Sequence, residues 1–265
     1  MKLLTRPEQA LVKKDFGEIW NTKLVRATLL AVPICLVVLL PIVFLAMVFL
    51  VPMDQLNGAD QMQKLIPEHM GYFTLQQSMF YMMTNIVSPM FFLMVPLMTS
   101  TVSSANSFVG EKERNTIETL LLCPLKVRQI FKAKVIGCFL LSAISTLISF
   151  IAFSIVVGVG DAMLNMPFFF NWNWLALIFV LTPAVTVFGV IFMVLISGKA
   201  KSYVEAVQLS GYVVLPLILL FVGQFTGLFQ LNAWILLSIG IVLIVLDIIL
   251  WGVAARSFKP EALLK

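Results

Sequence analysis

The segment FVGEKERNTIETLLLCPLKVRQIFKAKV, residues 108–135, determines how the rest of the sequence is interpreted. It contains three of the chain's 13 acidic residues and six of its 18 basic residues, and long apolar stretches lie on both sides of it. Charged side chains are costly inside the hydrocarbon of a membrane, so this segment is expected to lie outside it. So much charge in one short connection indicates a surface that faces a soluble partner or the lipid headgroups.

The overall composition is that of a polytopic membrane protein. Hydrophobic residues make up 60% of the sequence and charged residues 12%, with a mean hydropathy of +1.01. Soluble domains carry about 25% charged residues, and a soluble chain of this length has no interior large enough to bury so much apolar surface. One histidine and three cysteines form no metal-binding or disulfide pattern, so we expect no bound metal.

Six apolar stretches approach the length of about 20 residues that a transmembrane helix needs. They predict an all-α fold with a transmembrane domain at 27–254, an N-terminal segment at 1–26 and a short tail at 255–265. The charged connection, 103–134, joins the second and third spans. Prolines in the first, second and fifth spans predict kinks. The predicted spans are 27–51, 79–102, 135–157, 174–196, 206–223 and 234–254.

The basic residues indicate which side of the membrane each connection faces. The N-terminal segment, the charged connection, the turn between spans four and five and the tail together contain 17 of the 18 lysines and arginines, leaving Lys64 on the other side. The positive-inside rule therefore places both termini and the charged connection in the cytoplasm. This distribution explains the net charge of +5 without a nucleic-acid partner. On the outer side, Trp172 and Trp174 are expected at the lipid headgroups.

An amphipathic helix is predicted just before the first span. Phe16, Ile19 and Trp20 belong to its apolar face, and Lys14 and Glu18 lie away from that face. Such a helix lies in the membrane interface with its apolar side chains in lipid. It serves either as an orientation anchor alone or also as a contact for a partner.

The charged connection is predicted to form two short helices separated at Pro124. In the first, Arg114 can pair with Glu111 or Glu118 at helical spacing. The second continues into span three. Two interpretations remain open: an amphipathic loop whose charges lie at the membrane surface, or a rigid element that docks on a soluble protein.

The wording GEKERNTIETLLLCPL, residues 110–125, resembles a known pattern. It is similar to the cytoplasmic segment between the second and third helices of ABC-2 type transporter permeases, usually written GEKERGTLE followed by a Leu pair and a Pro. Asn115 stands where that family usually has Gly. The segment SGKAKSYVEAVQLSGYVVLPL, residues 197–217, resembles the family's short cytoplasmic turn into span five. The resemblance implies a permease subunit of an ATP-driven exporter, with the amphipathic helix as its elbow helix.

The resemblance also implies partners and site residues. Two permease chains, identical or paralogous, would form the pathway in the bilayer of a cell membrane that we expect to be bacterial. Two separate P-loop ATPase chains would bind ATP and Mg beneath them, and this chain itself would bind no cofactor. The implied cargo is a drug, an antimicrobial peptide, a lipid-like molecule or an ion. The residues that match the ATPase-coupling segment are Glu111, Lys112, Glu113, Arg114, Thr116 and Glu118.

Polar residues inside the spans are candidates for a transport pathway. Asp247 is the ionisable residue that lies well inside a predicted span, where a charge costs at least ~2.5 kcal/mol. It either supports packing or takes part in cation or proton transport. Ser142, Ser145 and Ser149 share one face of span three, where they either allow close helix packing or line a pathway.

The sequence contains no enzyme motif. The P-loop pattern G-x-x-x-x-G-K-[ST] is absent, because Gly198 and Lys199 are followed by Ala200. We therefore expect ATP hydrolysis on a partner chain. Two other classes of function remain open: an ATP-independent ion-coupled carrier or channel that uses Asp247, and a membrane scaffold or sensor that recruits a soluble partner.

Overall fold

The fold is a bundle of long helices, which we describe from a computed structural model. The structure describes residues 5–50, 73–114, 116, 125–200, 202–226 and 232–257, and these contain no strand. Six helices are long and apolar enough to cross a membrane, which confirms the six predicted spans and a multi-pass membrane protein. The helices are α1 (Arg6–Asn21), α2 (Val25–Leu50), α3 (Leu75–Glu113), α4 (Val127–Met163), α5 (Trp172–Ser197), α6 (Tyr203–Gln224) and α7 (Ala233–Ala254).

The helices on both sides of the charged connection extend into it. α3 continues as far as Glu113, so the residues predicted to begin a separate short helix form instead the end of the second span. α4 begins at Val127, and the basic segment before span three is part of one continuous helix. Residues 117–124, with Glu118 and Pro124, lie outside the described residues. The acidic part of the connection is thus rigidly attached to a transmembrane helix.

α3 occupies the centre of the bundle. In its most apolar stretch 72% of the residues are buried, compared with 17% in α7 at the periphery. It packs most extensively against α4 and α5. Helical turns widen ahead of prolines, since a wider turn relieves the clash between the proline ring and the preceding carbonyl. Three π-helical segments, Ile34–Leu39, Met83–Val87 and Leu177–Leu181, each end two residues before a proline, namely Pro41, Pro89 and Pro183.

An aromatic cluster fills the half of the bundle away from the charged connection. Trp174 is fully buried, and its ring centroid lies 4.9 Å from that of Phe153 and 5.7 Å from that of Phe92. Trp172, by contrast, is 78% exposed. Residues two apart on a helix point to nearly opposite sides, because each residue turns by about 100°. The prediction that both tryptophans lie at the lipid headgroups is therefore wrong for Trp174, which packs inside the protein.

Small residues allow α3 to approach its neighbours closely. Ser142 of α4 and Thr99 of α3 share a hydrogen bond of 2.7 Å between their hydroxyl groups. The ring of Phe80, 1% exposed, lies directly over Gly160 of α4, so that a Cβ atom at position 160 would overlap the ring. Such contacts set the spacing of the helices that surround the centre.

We expect Gly160→Ala to destabilise the protein by about 1–3 kcal/mol, because the added methyl group must displace the buried ring of Phe80. Thermal unfolding of purified variants in detergent measures this effect. Gly160→Ala combined with Phe80→Leu should recover part of the loss, since the smaller side chain vacates the space. Gly252→Ala is the control, because no atom of another described helix lies within 4 Å of a Cβ at that position. A wild-type unfolding temperature for Gly160→Ala would contradict the packing described here.

Candidate functional site

α1 lies against α4 at the charged end of the bundle. It begins with a capping box formed by Thr5 and Glu8, which satisfies backbone groups of the first turn. Asp15 and Ile19 lie on its buried face, four residues apart. Ile19 therefore contacts protein, contrary to the prediction that it faces lipid, whereas Trp20 is 59% exposed. The helix is fastened to the bundle along one side.

A buried lysine connects α1, α3 and α4. Nζ of Lys134 lies 2.8 Å from Oε2 of Glu111 and 3.7 Å from Oδ2 of Asp15. It donates a hydrogen bond to the Ser107 carbonyl oxygen at 2.7 Å and lies 5.6 Å from the centroid of the Phe108 ring. The Lys134 side chain is 2% exposed and that of Glu111 is 1% exposed. A charge this well buried is stable only with close partners, and here they come from two other helices.

A second layer of ion pairs surrounds this lysine nearer to the surface. Lys14 of α1 lies 3.0 Å from Glu111 and 3.4 Å from Glu18. Arg114 lies 3.3 Å from Glu18, so its described acidic partner belongs to α1 and is not the predicted Glu111. Arg114 also donates a hydrogen bond to Asn106 at 3.5 Å. We call the set formed by Lys14, Asp15, Glu18, Glu111, Arg114 and Lys134 the ionic cluster.

The end of α3 also holds the start of α6. The backbone N–H of Tyr203, the first residue of α6, donates a hydrogen bond of 2.8 Å to Oε2 of Glu113. The Ser202 hydroxyl accepts a hydrogen bond from the backbone N–H of Glu205, in the first turn of the same helix. A carboxylate at a helix N terminus satisfies a free N–H group and interacts favourably with the helix dipole. Thr116 donates to the Glu111 carbonyl oxygen at 3.2 Å, which folds the chain back as α3 ends.

Burial and neighbouring charges shift the pKa values of two members of the ionic cluster, Asp15 and Lys14. Burial raises the pKa of Asp15 above its ordinary value, although the charge of Lys134 and the hydrogen bond from Ser107 act to lower it. Burial acts to lower the pKa of Lys14, but the hydrogen bond to Glu111 and the surrounding negative charges outweigh it and raise that pKa. Asp15 thus ionises less readily than a free carboxyl group, whereas Lys14 is held more firmly in its charged form.

The carboxylates of the cluster have the proximity of a metal site. One oxygen each from Asp15, Glu18 and Glu111 lies within 4.8 Å of the other two. Lys134 lies 3.7 Å from Asp15 and 2.8 Å from Glu111, and Lys14 lies 3.4 Å from Glu18. Three acids and three bases cancel in formal charge, so the bases supply the positive charge that a metal ion would bring. The arrangement is suited to fastening helices together.

The residues predicted for ATPase coupling have different surroundings. Glu111 faces the interior and holds Lys134, so in this arrangement its carboxylate is not on the surface. Glu113 and Arg114 are exposed, and each also joins α3 to another helix. Lys112 is half-buried, and Glu118 lies outside the described residues. Two of the predicted residues therefore combine surface exposure with a link to the helices behind them.

The candidate pathway residues also differ in their surroundings. Ser142 is buried between α3 and α4, where its hydroxyl also donates to the Pro96 carbonyl oxygen at 3.0 Å. Ser145 and Ser149 line a groove that α1 and α2 complete with apolar side chains, Phe16, Ile19 and Trp20 among them. Asp247 is buried in α7, seven residues before that helix ends at Ala254.

Comparison with known proteins adds the family to this geometry. Residues 67–249, more than half of the chain, match the family model described as ABC-2 family transporter protein. The chain belongs to this family. A comparison with curated proteins finds no match. The protein is thus a membrane component of a transporter, and ABC-2 permeases in general work with an ATP-binding partner.

Several residues in and beside the ionic cluster of this permease were not predicted from the sequence. Lys134 was counted only as one base of a cytoplasmic segment, and Asp15 and Ser107 were not singled out. Two signals point to the two charged residues: Asp15 lies between Leu11 and Ile19 on one face of α1, four residues from each, and Lys134 immediately precedes the apolar run of span three. A single charge in an apolar stripe indicates a buried partner of opposite sign.

We expect Glu111→Gln to destabilise the permease by about 3 kcal/mol, because it leaves the Lys134 ammonium buried without its closest anion. Unfolding in detergent with increasing denaturant measures the loss. Glu111→Leu combined with Lys134→Met and Asp15→Asn should restore most of it, since none of the three buried charges then remains. Lys14→Ala is the control, because the Lys14 side chain is 43% exposed and Glu111 keeps Lys134 as its closer partner; the expected loss is about 0–1 kcal/mol. Equal losses for Glu111→Gln and Lys14→Ala would show that burial of the pair does not matter.

The raised pKa of Asp15 predicts a pH-dependent effect of Asp15→Asn. A carboxyl group with a higher pKa in the folded state contributes stability below its unfolded pKa, and this contribution disappears as the pH rises through the folded pKa. At neutral pH the neutral Asn should therefore raise the unfolding temperature or leave it unchanged. The difference from wild type should shrink as the pH falls towards 4. A variant that is less stable at pH 7 and gains on acidification would contradict the assigned direction.

Proposed function

We propose that the chain is the permease subunit of an ATP-driven ABC-2 exporter, and that its charged end couples to a separate ATP-binding subunit. The observation that carries the proposal is the attachment of α1, α4 and α6 to the end of α3 through Glu18, Lys134 and the Tyr203 backbone. A partner that pushes on this end acts on four helices together. A loop held only by lipid contacts would not transmit such a force.

The proposed orientation has both termini and the ionic cluster in the cytoplasm, with α1 as the elbow helix. The distribution of lysine and arginine along the sequence supports it. In the bundle, Arg26, Lys112 and Lys132 lie at the same ends of α2, α3 and α4 as the cluster. An ATP-binding subunit would then approach the exposed Glu113 and Arg114 from below the membrane.

The pathway in this proposal forms between two permease chains, either identical or paralogous. ATP and Mg would bind to the partner ATPases, and closure of that pair would push the coupling segments and switch the spans between two states. The cargo would be a drug, an antimicrobial peptide, a lipid-like molecule or an ion. The location would be a cell membrane, most simply a bacterial one.

One observation favours a second candidate, an ATP-independent ion-coupled carrier or channel. Asp247 is a buried carboxyl group within a span, and Oδ1 has no hydrogen-bond partner among the described residues. Intramembrane carboxyl groups of this kind serve as proton or cation sites in carriers. This candidate requires no ATPase, which makes partner capture the deciding experiment.

We expect the tagged permease, purified from native membranes in mild detergent, to bring a stoichiometric P-loop ATPase that mass spectrometry identifies. Glu113→Ala combined with Arg114→Ala should reduce the recovered ATPase about tenfold, which corresponds to ~1.4 kcal/mol of lost contacts. In reconstituted complexes that still form, the double variant should hydrolyse ATP without transport. Membrane insertion should be normal.

Two controls separate docking from internal packing. Glu18→Gln removes the partner of Arg114 in α1 but keeps the proposed docking side chains, so the ATPase should remain bound. Arg128→Ala removes an exposed base near the start of α4 and should have no effect. Retention of ATPase and transport by the double variant would refute the coupling role. A chain that purifies alone in several detergents would favour the carrier or channel.

A further inference from the structure

A groove of about 480 Å³ lies between α4, α5 and α7, and none of its lining residues belongs to the ionic cluster. Aromatic side chains line it from all three helices: Phe139 of α4, Phe179 of α5 and Trp251 of α7. Aliphatic side chains of α5 and α7 supply most of the remaining wall. The groove is thus shaped and lined for an apolar ligand with aromatic contacts.

A single carboxyl group interrupts the apolar wall. Asp247 lines the groove and is only 5% exposed, and Oδ1 has no hydrogen-bond partner among the described residues. It is also the one ionisable residue among those described as lining the groove. Burying a carboxylate without a partner is costly, and a cation placed beside it removes that cost.

The groove is elongated and opens sideways. On α5 its lining residues run from Phe179 to Ile191, which corresponds to about 18 Å along a helix. Asp247 lies seven residues before Ala254, or about 10 Å from the end of α7 that lies beside the charged connection. Phe179 and Ile248 are 71% and 69% exposed on the outer surface of the bundle. A ligand dissolved in the membrane can therefore reach Asp247 without passing through the protein.

We propose that this groove binds a lipophilic organic cation, whose charged nitrogen or phosphorus centre pairs with the Asp247 carboxylate. The apolar body of the ligand lies along α5 and α7. Phe139, Phe179 and Trp251 contribute ring faces, which attract cations as well as apolar groups. Anionic ligands are excluded, because they would meet a carboxylate that is already without a partner.

A second copy of the chain fits the groove less well than a small cation. In a copy inserted in the same direction, the described bases lie at the charged ends of the helices, as Arg26 and Lys112 do. Lys134, the most deeply placed of them, is already bound to Glu111. A neighbouring permease would therefore cover the groove without bringing a positive charge to the depth of Asp247.

The role of such a cation as cargo rests on the proposed transport function, but its binding does not. Binding can be measured on the permease alone, without an ATPase. If binding is found and no ATPase is captured, the exporter proposal fails and the site stands. If an ATPase is captured and binding is absent, the site fails and the exporter proposal stands.

The experiment uses the purified full-length chain in lipid nanodiscs and radiolabelled tetraphenylphosphonium, a rigid lipophilic cation. We expect saturable binding to wild type, and Asp247→Asn should weaken it at least about tenfold, as expected for loss of a desolvated charge pair. Asp161→Asn is the matched control, since it neutralises a buried carboxyl group of α4 that does not line the groove. Tetraphenylborate, with the same shape and the opposite charge, should not compete.

A second variant tests the location without altering the charge. Val187→Phe narrows the groove and keeps Asp247, so it should also weaken binding. Equal affinity of wild type and Asp247→Asn, equal weakening by Asp161→Asn, or competition by tetraphenylborate would each overturn the proposal. It would also be overturned if Val187→Phe bound normally. A wild-type chain that forms dimers and binds no cation would also overturn the proposal and favour a second copy as the occupant of the groove.

Discussion

The burial of the Lys134 ammonium group is the constraint on which the charged end of the permease depends. Its partners are Asp15 on α1 and Glu111 and Ser107 on α3. Because an unpaired buried charge is far more costly than a buried pair, α3 and α4 cannot separate at this point, and Asp15 adds a contact to α1. One side chain thus fixes two spans relative to each other and also contacts the amphipathic helix.

The pairs around that centre are of a different kind. Lys14, Glu18 and Arg114 are partly exposed, and exposed ion pairs contribute little stability and exchange readily. Glu113 is the last residue of α3 and Arg114 follows it directly, both within three residues of Glu111, so a force on either of them is transmitted directly to the buried centre. A partner can therefore bind and replace the exposed ion pairs while the buried Lys134–Glu111 pair stays intact and the helices remain folded.

Sequence alone predicted the features that depend on local composition. The six spans follow from apolar runs of sufficient length, and the family from a short run of charged residues around Glu113. The ionic cluster could not be predicted, because Ser107 and Asp15 lie 92 residues apart and meet only through packing of α1 on the bundle. The position of Trp174 was predicted wrongly for a related reason. A tryptophan near the end of a span suits both the membrane interface and a protein core, and only the packing of the neighbouring helices determines which of the two it occupies.

Lys134 and Asp247 show two solutions to the same physical problem. The chain surrounds Lys134 with its own oxygens, whereas it leaves Asp247 beside an apolar groove that opens to the membrane. The two places share α4, which carries Lys134 and, five residues or about 7.5 Å further along, Phe139 in the groove wall. Since a helix moves as a rigid rod over so short a length, any displacement of α4 at the ionic cluster also displaces a wall of the groove. A change imposed at the charged end can thus alter the groove through this one helix, without a longer chain of contacts between them.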